Sequence, residues 1–497
     1  MQLSGQIILA LLRGLLSNII MTFIHQKTIS RRTLLSGIAA TTILSACSIK
    51  DKKHDAEIIV IGAGLSGLYA ATLLAEAGKD VLVLEGSDRI GGRLYTVESA
   101  HGQTEGGGEQ VGGGYARIRY MAEKLGVPIA PYRFPPLATA LHKDGKLLAQ
   151  KDWPIFQSNP FEGRMKELTP DSAFPVLAGA ANPLPDVSSW SKPEFAKYDI
   201  SARNFLESKR INEAGIAAID QAFNANSVDS YSMLNAYRTG VAFKQEAAFG
   251  KTGYFVNGAQ SFPEAMARAL PRAVETGQEI IRIDVGANGV EMESKNGKTW
   301  RAAQVVCAVP LPVMEKMTVN APLSEVQKRA FKELPYTQII QVHFRAKRPF
   351  WKEDGFGASM WTDGPLERLL ARPGDDGLPD GILRAWINGT GATTLNAKSD
   401  EELAALCSSE LKRLRPASDG QVDIFKVVRW TESNPLAGGA YLHYAPGQVS
   451  WAAGNVGTSA GRLHFAGEHL SNLHLGMEGA MESGEQTAMK LLNSKPG

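Results

Sequence analysis

Residues 57–96 read EIIVIGAGLSGLYAATLLAEAGKDVLVLEGSDRIGGRLYT. The unbroken apolar run 58–61 predicts a buried strand, and it passes straight into Gly62-Ala63-Gly64-Leu65-Ser66-Gly67 and a helix of small residues. In such a strand, turn and helix, Gly62 permits the tight turn, Gly64 lets the backbone approach a pyrophosphate, and Gly67 lets the helix pack on the strand. Ser66 lies in the same motif, where the helix N-terminus attracts phosphate. A second strand, 81–84, ends in Glu85, 23 residues after Gly62, and a carboxylate there accepts hydrogen bonds from the two hydroxyls of an adenosine ribose. The glycine motif alone is weak evidence. With both strands and the acid in place it predicts an α/β, Rossmann-type dinucleotide domain.

Beyond Glu85, Asp88-Arg89-Ile90-Gly91-Gly92-Arg93 adds two glycines and an arginine, the backbone room and the cation that a longer, bent dinucleotide needs for its phosphates. Here the chain resembles the flavin-containing amine oxidase family, which includes monoamine oxidases, polyamine oxidases and L-amino acid oxidases. The family pattern E-x-x-x-R-x-G-G-R-x-x-T is met in full between Glu85 and Thr96. The resemblance recurs at GGGEQVGGGYARIRYMAEKLG (106–126), FVNGAQSFPEAMARALP (255–271) and FAGEHLSNLHLGMEGAMESGEQTA (465–488). It implies FAD as the cofactor, and a Rossmann-type FAD domain, discontinuous in sequence, with an inserted substrate domain of mixed sheet and helices.

The composition, 44% hydrophobic and 21% charged over 497 residues, gives ample core for more than one structural unit. The formal charge of +2 is concentrated in the first 46 residues, which hold Arg13, Lys27, Arg31 and Arg32 and no acid, so nothing recommends nucleic acid as a partner. Ser30-Arg31-Arg32-Thr33-Leu34-Leu35 is a twin-arginine export pattern, and Leu44-Ser45-Ala46-Cys47 resembles a lipoprotein cleavage site. Together they predict an export signal over 1–46 and a lipid anchor at Cys47, placing the mature protein in the periplasm or on the cell surface. The twin-arginine route exports folded chains, which suits a cofactor loaded before export. Residues 7–20 are apolar but interrupted by Arg13 and short for a spanning helix, so Met21 is the more natural start. Cys307 lies in an apolar run and reads as a buried, inert thiol; with Cys407 it is too little for a disulfide framework, and no His/Cys spacing suggests a metal.

Taken in order, 50–55 read as a solvated tether, and 56–135, 252–318 and 431–492 as the FAD domain. Residues 136–251 and 319–430 form the substrate domain, with helical patterns at 201–224 and 230–243 and a strand over 339–344. A homodimer is compatible with this plan.

By resemblance, Arg93 serves the phosphates, Glu468 meets the cofactor's polar chain, Ile280 lies against the adenine, and Gly107 and Gly108 pass beside the flavin ring. Met477 opens a final helix whose N-terminus, carrying roughly half a positive charge, favours negative charge at the ring's N1 and O2 edge. The substrate side departs from the family. Gln341, aligned from Pro349-Phe350-Trp351, stands where a lysine usually holds a water near flavin N5; it has no charge to place there, which puts fast reaction with oxygen in doubt. Tyr441 keeps one member of the aromatic pair that flanks the amine, whereas Gly476 replaces the other; Trp430 and His474 are candidates to fill the room. Alternation puts His343 on the face of Gln341. Ala440 replaces a cysteine that bonds the flavin in some relatives, so the flavin is expected to be non-covalent. The expected reaction is oxidation of the C–N bond of an amine or amino acid, with O2 or a periplasmic electron carrier as acceptor. A C–C desaturase of the same fold and a catalytically silent flavin-binding module stand as alternatives, and Arg117 is as plausible a helix-start residue as a carboxylate clamp.

Overall fold

In the computed structural model, residues 58–61 fall in a strand, Ala56–Ile61, whose side chains are almost all buried, as expected where helices cover both faces of a parallel sheet. It lies between Val81–Leu84 and Thr299–Cys307, parallel to both. The structure describes residues 54–100, 102–132, 137–374 and 376–494. The export signal, the alternative start at Met21 and the anchor at Cys47 lie outside them.

Thr299–Cys307 is the hub of a seven-stranded sheet. Its first half pairs antiparallel with Gly289–Ser294, which continues to Ile280–Gly286 and Thr318–Asn320; its second half pairs parallel with Leu463–Phe465. The sheet thus draws its strands from well-separated parts of the chain. The fold is Rossmann-type on this side, and a second seven-stranded, mostly antiparallel sheet stands on the other. Its order is Val422–Trp430, Ile339–Ala346, Pro379–Asn388, Arg368–Pro373, Ser359–Thr362, Thr139–Lys143, Lys146–Ala149. In this sheet Gln341 lies opposite Trp386, and Trp386 opposite Arg368, which places the three in one row across three strands.

The predicted helix over 201–224 is two helices, Ala202–Ser208 and Glu213–Asp220. Arg210 adopts φ +60° and stops the first, and the side chain of Asn212 caps the second by accepting from the Gly215 N–H at 2.8 Å. The helix expected over 230–243 runs from Met233 to Phe249, started by Ser232, whose hydroxyl accepts from the Leu234 N–H.

Two helices lock the first and last parts of the described chain together. The helix after the glycine turn, Leu65–Glu76, is crossed by the C-terminal helix, Gly476–Asn493, so closely that a Cβ on Gly484 would overlap the carbonyl oxygen of Ser66. Glu478, fully buried on the C-terminal helix, accepts from the backbone N–H groups of Arg117 and Ile118 at 3.0 and 3.2 Å, and so caps the neighbouring helix Ala116–Leu125. Arg117 also pairs with Glu485 at 2.7 Å. Both carboxylates therefore hold it as a helix-start residue, which removes it as a substrate clamp.

The loop ahead of the C-terminal helix hangs on Glu482. Its carboxylate accepts from the N–H groups of Asn472, Leu473 and His474 and from the His474 ring at 3.0 Å. Burial pushes its pKa up, but these hydrogen bonds outweigh burial and bring it down from 4.5 to about 2. A depressed carboxylate stabilises the fold above its unfolded pKa and loses that contribution as pH falls through the folded value. Chemical denaturation at stepped pH should therefore find the wild type's advantage over Glu482→Gln constant at neutral pH and shrinking from pH 4.5 to about 2. An advantage that persists unchanged across that window would contradict the arrangement.

Candidate functional site

Between the two sheets lies a cavity of about 480 Å³ that reaches from Glu85 and Ile280 to Gln341, Trp386 and Tyr441. Of the residues singled out from the sequence it is lined by Gly62, Gly64, Ser66, Glu85, Gly92, Arg93, Gly107, Gly108, Ile280, Gln341, Trp430, Tyr441, Glu468, Gly476 and Met477.

At one end the geometry is set by the glycine turn. Gly62 has φ +104°, a conformation other residues rarely adopt, and a Cβ on Gly67 would overlap the Gly62 carbonyl oxygen; Gly67 sits behind the turn and does not face the cavity. The helix that starts at Leu65 has no side-chain cap and no acid in its first turn, so its leading N–H groups remain available to an anion. Glu85 is buried and fixed: one carboxylate oxygen accepts from the Ala63 N–H at 2.7 Å, the other from the N–H and hydroxyl of Ser87, both at 2.9 Å. Beside it, the side-chain oxygen of Gln278 is buried without a partner among the described residues.

In the middle, Arg93 donates through Nη1 to Glu468 at 2.7 Å and to the Ala440 carbonyl at 2.9 Å, with its guanidinium 5.8 Å from the centre of the Tyr336 ring. Burial opposes the charge of Arg93, but the adjoining Glu468 carboxylate outweighs it and raises the pKa. Glu468 also accepts from the Leu442 N–H at 3.0 Å. Its immediate role is thus to orient Arg93 and the 440–442 segment. Among the described residues only Nη1 of Arg93 is engaged, which leaves the rest of the fork for a phosphate.

The far end is aromatic. Tyr441 donates its hydroxyl to the Asn224 carbonyl at 2.9 Å, and burial pushes its pKa up to about 12. Trp430 donates its indole N–H to the Gly106 carbonyl, and Trp386 its own to Asn388 at 2.7 Å. Both rings are thereby fixed in place as walls. Gln341 lines the cavity and is 1% exposed, and among the described residues its side-chain oxygen has no partner. Gly108 lies against Met477, whose side chain a Cβ on Gly108 would meet at 3.5 Å. The C-terminal helix begins here, at Gly476, with no side-chain cap.

Two residues expected at the substrate pocket are not there. His343 does share a face with Gln341, but two residues farther along it lies between Arg384 and Lys426, fully buried, with neither ring nitrogen bonded among the described residues. Burial, then those two cations, pulls its pKa down to about 3, so it is a neutral packing residue beside Phe425. His474 is tied to Glu482 and accepts from Arg238 through its carbonyl at 2.9 Å; it holds the loop and does not line the cavity. Trp386, Gln278 and Asn224 were not found from the sequence. The alternation of 380–388 marks Trp386 as facing one side of a strand, but only the strand register shows that the side is that of Gln341.

The residues fit an FAD. The uncapped helix and unspent arginine suit two phosphates, Glu85 suits a ribose, and the orphaned oxygens of Gln278 and Gln341 mark polar positions at either end. Burial pushes Cys307 and Cys407 up to about 12, and neither lines the cavity.

Residues 65–492 match the family described as flavin containing amine oxidoreductase. The chain is 26% identical over 462 residues to flavin-containing amine oxidase B of Cavia porcellus, covering 88% of this chain and 86% of that protein. It is 26% identical over 472 residues to flavin-containing amine oxidase A of Equus caballus, covering 89% and 86%. Among solved structures, a putrescine oxidase bound to putrescine superposes with a TM-score of 0.71 at 22% identity, over 88% of this chain and 99% of that one. A cyclohexylamine oxidase from Brevibacterium oxydans gives 0.70 at 22% identity, over 88% and 98%. With the glycine turn, the ribose acid and the second glycine–arginine pair in one cavity, and the match running over most of its length, the chain belongs to the flavin containing amine oxidoreductases and is an FAD-dependent enzyme of that family.

Proposed function

We propose that this chain oxidises the C–N bond of an amine or amino acid to an imine, which water converts to an aldehyde or keto product. FAD held in the cavity by Glu85, Arg93 and the Leu65–Glu76 helix would supply the acceptor for the hydride equivalent on the carbon bearing the nitrogen. The observation that carries the reading is the continuity of one cavity from Glu85 to the Gln341, Trp386 and Tyr441 end.

Each residue has a task there. Glu85 would hold the ribose, and the Leu65–Glu76 helix with Arg93 the phosphates; Glu468 keeps Arg93 charged and aimed. Ile280 and Gln278 would meet the adenine. Tyr441, Trp386 and Trp430 exclude water from the reacting carbon and steer the nitrogen against their faces. The uncapped start of the Gly476–Asn493 helix offers a partial positive charge to the ring. Ala440, and a lining that among the described residues holds no cysteine, support a flavin held without a covalent bond. Anaerobic addition of primary amines, secondary amines and amino acids to the purified protein tests this: at least one should bleach the flavin absorbance, and bleaching by none would contradict the reading.

The electrons then pass to O2 or a redox carrier. Gln341 can donate and accept hydrogen bonds but places no positive charge near the ring. Gln341→Lys should speed reoxidation of the reduced enzyme by oxygen in stopped-flow measurements; an unchanged or slower rate would remove the argument.

The twin-arginine pair and Leu44-Ser45-Ala46-Cys47 support export and anchoring of the folded holoenzyme through a lipid on Cys47. Cys47→Ala should leave the protein in the soluble fraction while the wild type sediments with membranes. Equal partition of the two would count against the anchor.

A further inference from the structure

Across the 467–472 turn from the flavin cavity lies a second cavity, of about 340 Å³, at the lower end of the range in which small-molecule sites fall. The turn is the partition between the two: Glu468 lines the first cavity and His469 the second.

The walls of the second cavity are fixed by hydrogen bonds. One wall is a stripe of the C-terminal helix, Ser483, Gln486, Thr487 and Lys490, at the three- and four-residue spacing of one helix face. Both hydroxyls of that stripe hold neighbouring backbone: Ser483 accepts from the Gly467 N–H at 3.0 Å, and Thr487 donates to the Phe465 carbonyl at 2.8 Å. The 456–458 loop is pinned by Gln327, whose Nε2 donates to the carbonyls of Val456 and Thr458 at 3.1 and 2.7 Å. Trp190 and Tyr444 form an aromatic side, with ring centres 5.3 Å apart and planes inclined at 48°. The Trp190 indole N–H donates to the Asn472 side chain at 3.0 Å, and the Tyr444 backbone N–H to the Asn235 side chain at 3.1 Å. Walls held in this way are in place before a ligand arrives, so little ordering remains to oppose binding.

Several polar groups of the cavity are left unmet. His469 is 6% exposed, and its Nδ1 is buried with no hydrogen bond among the described residues. Such an atom costs stability unless another group meets it. Burial pulls the pKa of this ring down to about 4, so near neutral pH it is uncharged and offers one donor and one acceptor. Lys490 reaches the Gly457 carbonyl at 3.4 Å, and among the described residues it forms no ion pair. No acid lines this cavity, whereas Glu85, Glu279 and Glu468 line the first. The charge therefore favours an anion and disfavours an amine, while Trp190, Tyr444 and Phe465 give apolar faces that a ring can cover.

We propose that this cavity is a second ligand site, which takes a small organic acid carrying an aromatic ring, the ring against Trp190 and Tyr444 and the carboxylate toward Lys490 and His469. It goes beyond the amine-oxidation reading and stands or falls without it, because its residues take no part in holding FAD or the amine.

Calorimetric titration of the wild-type holoenzyme with phenylacetate tests the site. Acetate lacks the ring and phenylacetamide the charge, and each should bind at least about 10-fold more weakly than phenylacetate. Lys490 and Thr458 are exposed residues of the cavity rim, so changes there spare the core. Lys490→Ala removes the cation and should weaken phenylacetate about 3- to 10-fold. Thr458→Trp puts a ring into the opening and should weaken it by at least about 10-fold. Both variants should keep the flavin content of the wild type. Equal affinity of the wild type for phenylacetate and either control, or no binding of phenylacetate at millimolar concentration, overturns the proposal even if neither variant folds. So does an unchanged affinity in either variant, which would put the phenylacetate elsewhere, the flavin cavity included.

Discussion

The structure depends on one close contact, the crossing of the Leu65–Glu76 and Gly476–Asn493 helices, which leaves room for backbone but not for a side chain at Gly484. A methylene forced into such a contact costs about 1–3 kcal/mol in displaced neighbours. The crossing sets the start of the C-terminal helix over one end of the cavity and the start of the glycine-turn helix over the other. Two uncapped helix ends, from opposite ends of the chain, then face one volume. Leu463–Phe465 fixes the same segment from the sheet side, and the hydroxyl of Thr487 reaches back to the Phe465 carbonyl at 2.8 Å.

That geometry divides the cavity by chemistry. Glu85, Arg93 and Glu468 each have an ionic partner or an N–H donor, an arrangement needed because an unpaired buried charge costs several kcal/mol. Where Gln341, Trp386, Trp430 and Tyr441 lie, polar atoms are few and the rings are fixed by their own hydrogen bonds. The first half suits a charged cofactor chain, the second a small organic nitrogen compound.

The legible parts of the sequence were those fixed by local backbone. The strand, glycine turn, helix and Glu85 follow from neighbours within 30 residues, and the structure realises them in one unit. Helix ends were less legible: 201–224 reads as continuous apolar periodicity, but Arg210 takes a left-handed conformation that composition does not announce. His343 shows what alternation omits. It gives the face of a strand and not the distance along it at which a cavity ends, and two residues were enough to move the ring from the cavity to a place between Arg384 and Lys426. Trp386 was hidden for a related reason, since its position beside Gln341 exists only through the register of two strands. The sequence offers His474 as a candidate to fill the room left at Gly476, whereas the acid that claims it, Glu482, sits two turns into the following helix.

The central claim is that this cavity holds one FAD per chain without a covalent bond. Acid precipitation of the purified protein, followed by identification of the released flavin, tests it most directly. The account predicts a colourless pellet and a supernatant containing FAD in about equimolar amount to the chain. Flavin retained in the pellet would contradict the non-covalent cradle, and a folded protein that carries no flavin and takes up none when FAD is added would contradict the claim as a whole.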